Sequence, residues 1–146
     1  MKHVQNNKKT IGSAGENLVK RFLVKHGLEI VEQNYWKPWG EIDIVAKSEN
    51  TIHFIEVKSK EIREEGQKYG GFRPKTGTPV QPTDRNDRFR PEDHMHSWKI
   101  KRFKRIIETW IMDRNYGGEW QIDVAIAYVS PETSIESVDM FWDIVL

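Results

Sequence analysis

Residues 40–58 read GEIDIVAKSENTIHFIEVK, and how this stretch folds on itself decides the architecture. Both halves are rich in apolar residues: Ile42, Ile44 and Val45 first, then Phe54, Ile55 and Val57. Between them lies Ser48-Glu49-Asn50-Thr51, a turn-forming run. The pattern predicts strands over about Glu41–Ala46 and Thr51–Ser59, joined as a hairpin. If Glu49 and Asn50 are the two central turn residues, Ser48 faces Thr51, Asp43 faces Glu56 and Glu41 faces Lys58. Strand alternation then puts all four charged residues on one face.

Like charges directly opposite each other in a sheet are destabilising. Two carboxylates at short range push one of them to keep a proton, unless a cation sits between them. A site of oxygen ligands completed by water suits Mg²⁺ or Mn²⁺. For any one of these residues, an ordinary cross-strand ion pair is the plainer reading. The four together, among apolar neighbours, favour a metal site. Glu41 either pairs with Lys58 or simply ends its strand.

Outward from the hairpin, Thr10 is a candidate cap for a first helix reaching about His26, with Gly27 as its stop. Ala14, Leu18 and Phe22 recur at helical spacing as a core stripe. Gly12 and Gly15 beside that stripe suggest close backbone packing, and Glu16 lies at its border. A strand over about Glu29–Trp36 follows, then a loop with Pro38 and Gly40. Residues 61–96 are rich in Gly, Pro and charge without sustained periodicity, and a loop of that length is usually functional or disordered. A second helix is expected over about Ser97–Asp113, with Ile100, Phe103, Ile107, Trp110 and Ile111 as its apolar face. Beyond Gly117-Gly118, strands are expected at Trp120–Val129 and about Val138–Val145, the first apolar enough to be central. The order α-β-β-β-α-β-β describes an α/β layered domain with a mixed sheet flanked by helices.

A chain of 146 residues is expected to form one domain, 1–146, with the 61–96 stretch as an insert. It has no cysteine, which excludes disulfides and thiolate metal sites. No apolar run approaches the ~20 residues of a membrane span, and MKHVQNNKKT lacks the apolar segment of a signal peptide. A soluble, cytoplasmic protein is the expectation.

The net charge of +1 says little about partners, but its distribution says more. SWKIKRFKR gathers Lys99, Lys101, Arg102, Lys104 and Arg105 without one acid, a density suited to nucleic-acid phosphates. A solvated helix face is the plainer alternative. Trp36, Trp39 and Trp98 are candidates for stacking on unpaired bases, with core packing favoured for Trp36 and Trp39 left open. His94 and His96 have metal-like spacing but lack a third ligand nearby, and read as loop residues. The insert's Tyr69, Phe72, Arg73, Lys75, Arg85, Arg88 and Arg90 either order over a nucleic acid or belong to a disordered segment.

GSAGE, GEIDIVA, FIEVKSK and IDVAIAYV, in that order, resemble the YraN-like family of predicted endonucleases. That family belongs to the PD-(D/E)xK nuclease superfamily and is similar to archaeal Holliday junction resolvases. The resemblance runs from about Ile11 to the C-terminus, apart from 61–96. It implies a restriction-endonuclease-like mixed sheet, with Asp43 as the metal-binding aspartate, Glu56 and Lys58 as the Glu-x-Lys pair, and Glu16 as the helical acid. By this resemblance the chain is a Mg²⁺-dependent DNA endonuclease of recombination or repair, with Mn²⁺ as substitute and branched or single-stranded DNA as substrate. Asp43 and Glu56 would hold the ion with the Val57 main-chain carbonyl, and Glu16 would act through water or on a second ion. Lys58 would orient the attacking water, held charged by its carboxylate neighbours. The implied products carry a 5′ phosphate and a 3′ hydroxyl. Junction cutting would call for a two-fold homodimer. Gln121-Ile122 stands where the family has Arg-Phe, and the stretch after Lys60 is longer than the family pattern. Rival readings are a catalytically inert nucleic-acid-binding module and an RNA-directed nuclease.

Overall fold

The computed structural model describes residues 2–62, 97–130 and 136–144. Helix α1 (Lys2–Lys25) is followed by strands β1 (Glu29–Lys37), β2 (Gly40–Ser48) and β3 (Thr51–Glu61). Helix α2 (Ser97–Asp113) and strands β4 (Glu119–Val129) and β5 (Glu136–Phe141) complete the order expected from the sequence. The five strands form one mixed sheet, in chain order across it. β1, β2 and β3 make an antiparallel meander, β4 joins β3 in parallel, and β5 returns antiparallel to β4. A parallel pair cannot be joined by a tight turn, and α2 lies in the crossover between its two strands.

The hairpin register is the one the two-residue turn predicts: Ser48 pairs with Thr51, Val45 with Phe54 and Ile44 with Ile55. One face of the sheet packs Ile52, Phe54, Ile122 and Val124 against Phe103, Ile106, Ile107 and Trp110 of α2. The other packs Ile44, Ile55, Ala125 and Ala127 against Val19 and Leu23 of α1. Each large apolar side chain buried this way contributes ~1.5–3 kcal/mol, so these two layers hold the sheet and fix what lies at its open end.

Several local expectations shift. The helix begins at Lys2 rather than at Thr10, since no Gly or Pro precedes Gly12 to stop it. Its buried line is Gly15, Val19 and Leu23, one position on from Ala14, Leu18 and Phe22, which are only partly buried. Gly27, at φ 85°, ends the helix as expected, with Leu28 N donating to Leu23 O at 2.9 Å. Of the two glycines expected to pack closely, only Gly15 does. A Cβ there would lie 1.9 Å from Ser59 Oγ, whereas one at Gly12 would meet nothing within 4 Å. In α2, Ile106 is fully buried and Ile100 and Ile111 are peripheral. β5 starts two residues earlier than expected and ends at Phe141. The insert's aromatic and basic residues, His94 and His96 lie outside the described residues, as does the side chain of Trp98.

Candidate active site

The β2–β3 ladder ends at Ile44–Ile55. At the next position, Asp43 Oδ2 accepts a hydrogen bond from the Val57 amide at 2.8 Å, so a side chain takes the donor that a continuing strand would have used. A residue's N–H and C=O face the same neighbour in an antiparallel pair, so the Val57 carbonyl also points to the side where β2 has stopped pairing. Asp43 and Glu56 both line a cavity of about 390 Å³ between this end of the sheet, the β1–β2 turn and α2. Trp36, Glu41, Lys99 and Arg102 border the same space.

Burial pushes the Asp43 carboxyl up to about 8, with the Glu56 charge as the next cause and Glu16 and Glu41 adding to it; the Val57 hydrogen bond works the other way. Glu56 is only 9% exposed. Lys58 Nζ lies 3.7 Å from Glu56 Oε1, and Lys99 Nζ lies 3.0 Å from the same oxygen. Lys99 therefore belongs to the carboxylate cluster rather than to the outer basic face assigned to it from the sequence. Its pKa is opposed by burial, yet raised on balance by the hydrogen bond to Lys58 and by Glu56. Lys58 moves down: burial first, then Lys99, outweigh Glu56 and Asp43. The neighbouring acids do favour the charged form of Lys58 as expected, but burial first and then the Lys99 ammonium outweigh them, so the net direction is downward.

Glu16 is adjacent but separate. It lines a second cavity of about 420 Å³ with Ile11, Val57, Ser59 and Glu61. Asn34 links it to the first site: the Asn34 amide nitrogen, in the orientation that satisfies both acids, lies 3.2 Å from Glu41 Oε1 and 3.3 Å from Glu16 Oε2. Burial raises the Glu16 pKa, Asn34 lowers it, and Glu41 and Glu56 raise it further. Asn34, at φ 50°, went unnoticed in the sequence; its only signal is a residue type that tolerates left-handed backbone. Among the described residues, no three His, Asp or Glu side chains form a ready metal cage. The donor set is two carboxylates and a main-chain carbonyl. Mg²⁺ ordinarily uses one or two carboxylates, with water and substrate phosphate completing its shell, so the set fits the ion.

Lys101, Arg102, Lys104 and Arg105 are exposed along α2, as the sequence suggested. Arg105 stacks over the ring of Trp39 at 5.1 Å, and Trp39 Nε1 donates to Thr109 Oγ1. Trp36, expected in the core, is 65% exposed. Tyr35 takes the inward position on β1, and alternation turns its neighbour outward.

A further polar group assembles around Asp123, whose role the sequence leaves open and whose partner His53 it does not reveal. His53 Nδ1 and Asp123 Oδ2 are 2.7 Å apart, and His53 Nε2 meets Ser48 Oγ at 2.6 Å. The Asp143 amide and the Gln121 side chain both donate to Asp123 Oδ1. Asp123 is fully buried and His53 nearly so, which closes this chain of bonds to substrate and gives it a structural role.

The sequence profile described as Uncharacterised protein family UPF0102 matches residues 15–127, most of the chain. A UPF0102 protein of Corynebacterium efficiens is 30% identical over 135 residues, covering 92% of this chain and 90% of that protein. The chain belongs to the UPF0102 family. UPF0102 proteins of Campylobacter fetus and Caldicellulosiruptor bescii share higher identity over shorter stretches. They are 50% identical over 48 residues and 52% over 54, or 33% and 37% of this chain. Those matches span less than half of each relative, 43% and 45%. The matched span, residues 15–127 of this chain, takes in Glu16, Asp43, Glu56 and Lys58 as well as the His53–Asp123 pair. No helix among the described residues is long and apolar enough to cross a membrane.

Proposed function

We propose that this UPF0102 chain is a Mg²⁺-dependent endonuclease acting on branched or single-stranded DNA. One observation carries the reading: Asp43 and Glu56 meet where the β2–β3 ladder ends, at the floor of an open cavity, with Lys58 on the same strand beside them. A fold does not need two carboxylates there, and burial followed by the repulsion of Glu56 raises Asp43.

Asp43, Glu56 and the Val57 carbonyl are the groups that would hold the cation. When bound, it would neutralise charge on the scissile phosphate and acidify a water. The Val57 amide restrains the Asp43 carboxyl group through a bond to Oδ2. Lys58, lowered by burial and then by Lys99, spends more of its time neutral than an ordinary lysine, which is the form that can orient an attacking water or take its proton. Lys99, held charged beside Glu56, is placed to offset negative charge at the cavity floor. Arg102 on the rim and Lys101, Lys104 and Arg105 outside supply sequence-independent phosphate contacts. Glu16, joined to Glu41 by the Asn34 amide, adds its own charge to those that raise Asp43.

The rival reading, an inert nucleic-acid-binding module, draws on Lys99: its ammonium already partners Glu56, as a built-in counterion would. Labelled junction, flap, single-stranded and duplex DNA, each with Mg²⁺, Mn²⁺ or chelator, separate the two. The nuclease reading expects metal-dependent cutting of at least one branched or single-stranded substrate, lost by ~10²-fold or more in Lys58→Ala while binding persists. Binding without cutting in either metal supports the inert module.

A further inference from the structure

Trp36 lines the Asp43–Glu56 cavity. It is 65% exposed, and it borders the same space as both carboxylates, Lys99 and Arg102. Its backbone is held by pairing with Glu41, at the end of the β1–β2 ladder. The adjoining turn is locked against α2, since a Cβ on Gly40 would sit 3.1 Å from Ile106 Cβ and 3.2 Å from the Arg102 carbonyl. Pro38 in that turn removes further backbone freedom. The indole is thus an exposed aromatic plane on a rigid mount, beside cations and next to the acids.

Strand alternation turns the Trp36 indole outward while Tyr35 fills the core, so a flat apolar face is presented to whatever enters the cavity. A polyanion whose monomers carry flat π-faces matches an aromatic plane among ammonium and guanidinium groups. In duplex DNA those faces are covered by neighbouring bases; in a single strand they are open. At about 390 Å³ the cavity falls within the ~300–1,000 Å³ of small-ligand sites, which is enough for one nucleotide but not for a duplex.

We infer that Trp36 is a base-stacking residue that selects an unpaired nucleotide beside the bond to be cut, making single-stranded DNA the preferred ligand. This rests on reading the cavity as a phosphodiester site. The phosphate contacts come from the basic helix and carry no such preference; the indole does. Trp36 positions the strand and takes no part in proton transfer.

The test is fluorescence anisotropy in chelator, so that binding is read without turnover. Wild type, Trp36→Ala and Trp36→Phe are each titrated against a labelled oligothymidylate, an abasic oligomer of the same length and a hairpin duplex. Stacking worth a typical amount per base predicts about a tenfold loss for Trp36→Ala on oligothymidylate. Trp36→Phe should retain most of the affinity, and neither variant should change binding to the abasic oligomer or the duplex. Equal affinity of wild type and Trp36→Ala for oligothymidylate would overturn the inference. So would an equal loss on all three ligands, or no binding to any of them by the wild type. The predicted pattern in a protein that cuts nothing would sustain the stacking role while removing the nuclease reading.

Discussion

The Asp43 carboxylate accepts the amide proton of Val57 across the gap where β2 stops pairing with β3, at 2.8 Å. That one bond holds an acid in a place where burial and Glu56 both oppose its ionisation. The site is therefore a point of stored instability, and its pH dependence has a definite sign.

Asp43 keeps its proton up to about 8 in the folded chain, against about 4 for an unfolded aspartate. Between those values the unfolded chain has released a proton that the folded chain retains, so this group makes stability fall as pH rises from about 4 to about 8. Asp43→Asn should flatten that decline. At pH 8 without divalent cations it should raise the melting temperature by about 2–4 °C, the equivalent of about 1 kcal/mol in a domain of this size. Parallel melting curves for wild type and variant at pH 5 and pH 8 check this; an equal gain at both values would assign it to packing instead.

Gly15→Ala should destabilise the fold by about 1–3 kcal/mol, since the new methyl group meets Ser59 Oγ at 1.9 Å and Ser59 Cβ at 2.8 Å. Adding Ser59→Gly should recover part of the loss. Chemical denaturation of the single and double variants measures both, and no recovery would mean that Ala127, 3.3 Å away, is the harder obstacle.

Asp123→Ala leaves the His53 ring, the Gln121 amide and the Asp143 backbone amide without their shared acceptor. A loss of about 2–4 kcal/mol is expected, as each unsatisfied buried group costs ~1–3 kcal/mol and the gap admits some water. The same denaturation midpoints check it. Cutting measured at a temperature where the variant is still folded should stay near that of the wild type.

The helix face makes its own prediction. Lys101→Ala and Arg105→Ala should each lower the slope of log affinity against log salt by about 0.7–0.9 if each residue neutralises one phosphate. Titrations of one DNA ligand across a salt series give the slope directly; an unchanged slope would leave α2 as a solvated face.

Much of this was readable because the hairpin is local. Two turn residues, Glu49 and Asn50, fix the register from Ser48–Thr51 as far as Ile44–Ile55, one step short of Asp43 and Glu56, which line one cavity. The element order followed equally well from apolar spacing. What stayed hidden depends on the phase of helices and on distant pairing. A helical stripe one residue out of phase conceals Val19 and Leu23 behind Leu18 and Phe22. Lys99 looked like its basic neighbours, and only the docking of α2 turns it onto Glu56. His53 and Asp123 are 70 residues apart, and the parallel pairing of β3 with β4 unites them. Trp36 was misread because a tryptophan in a short strand is usually core, whereas Tyr35 fills that position here.

Calorimetric titration of Mn²⁺ into the metal-stripped protein tests the account most directly. Saturable binding is expected in the wild type and should be lost in both Asp43→Ala and Glu56→Ala, with their folds intact by circular dichroism. Saturable binding that persists unchanged in both variants would contradict the assignment of these two carboxylates as the cation site.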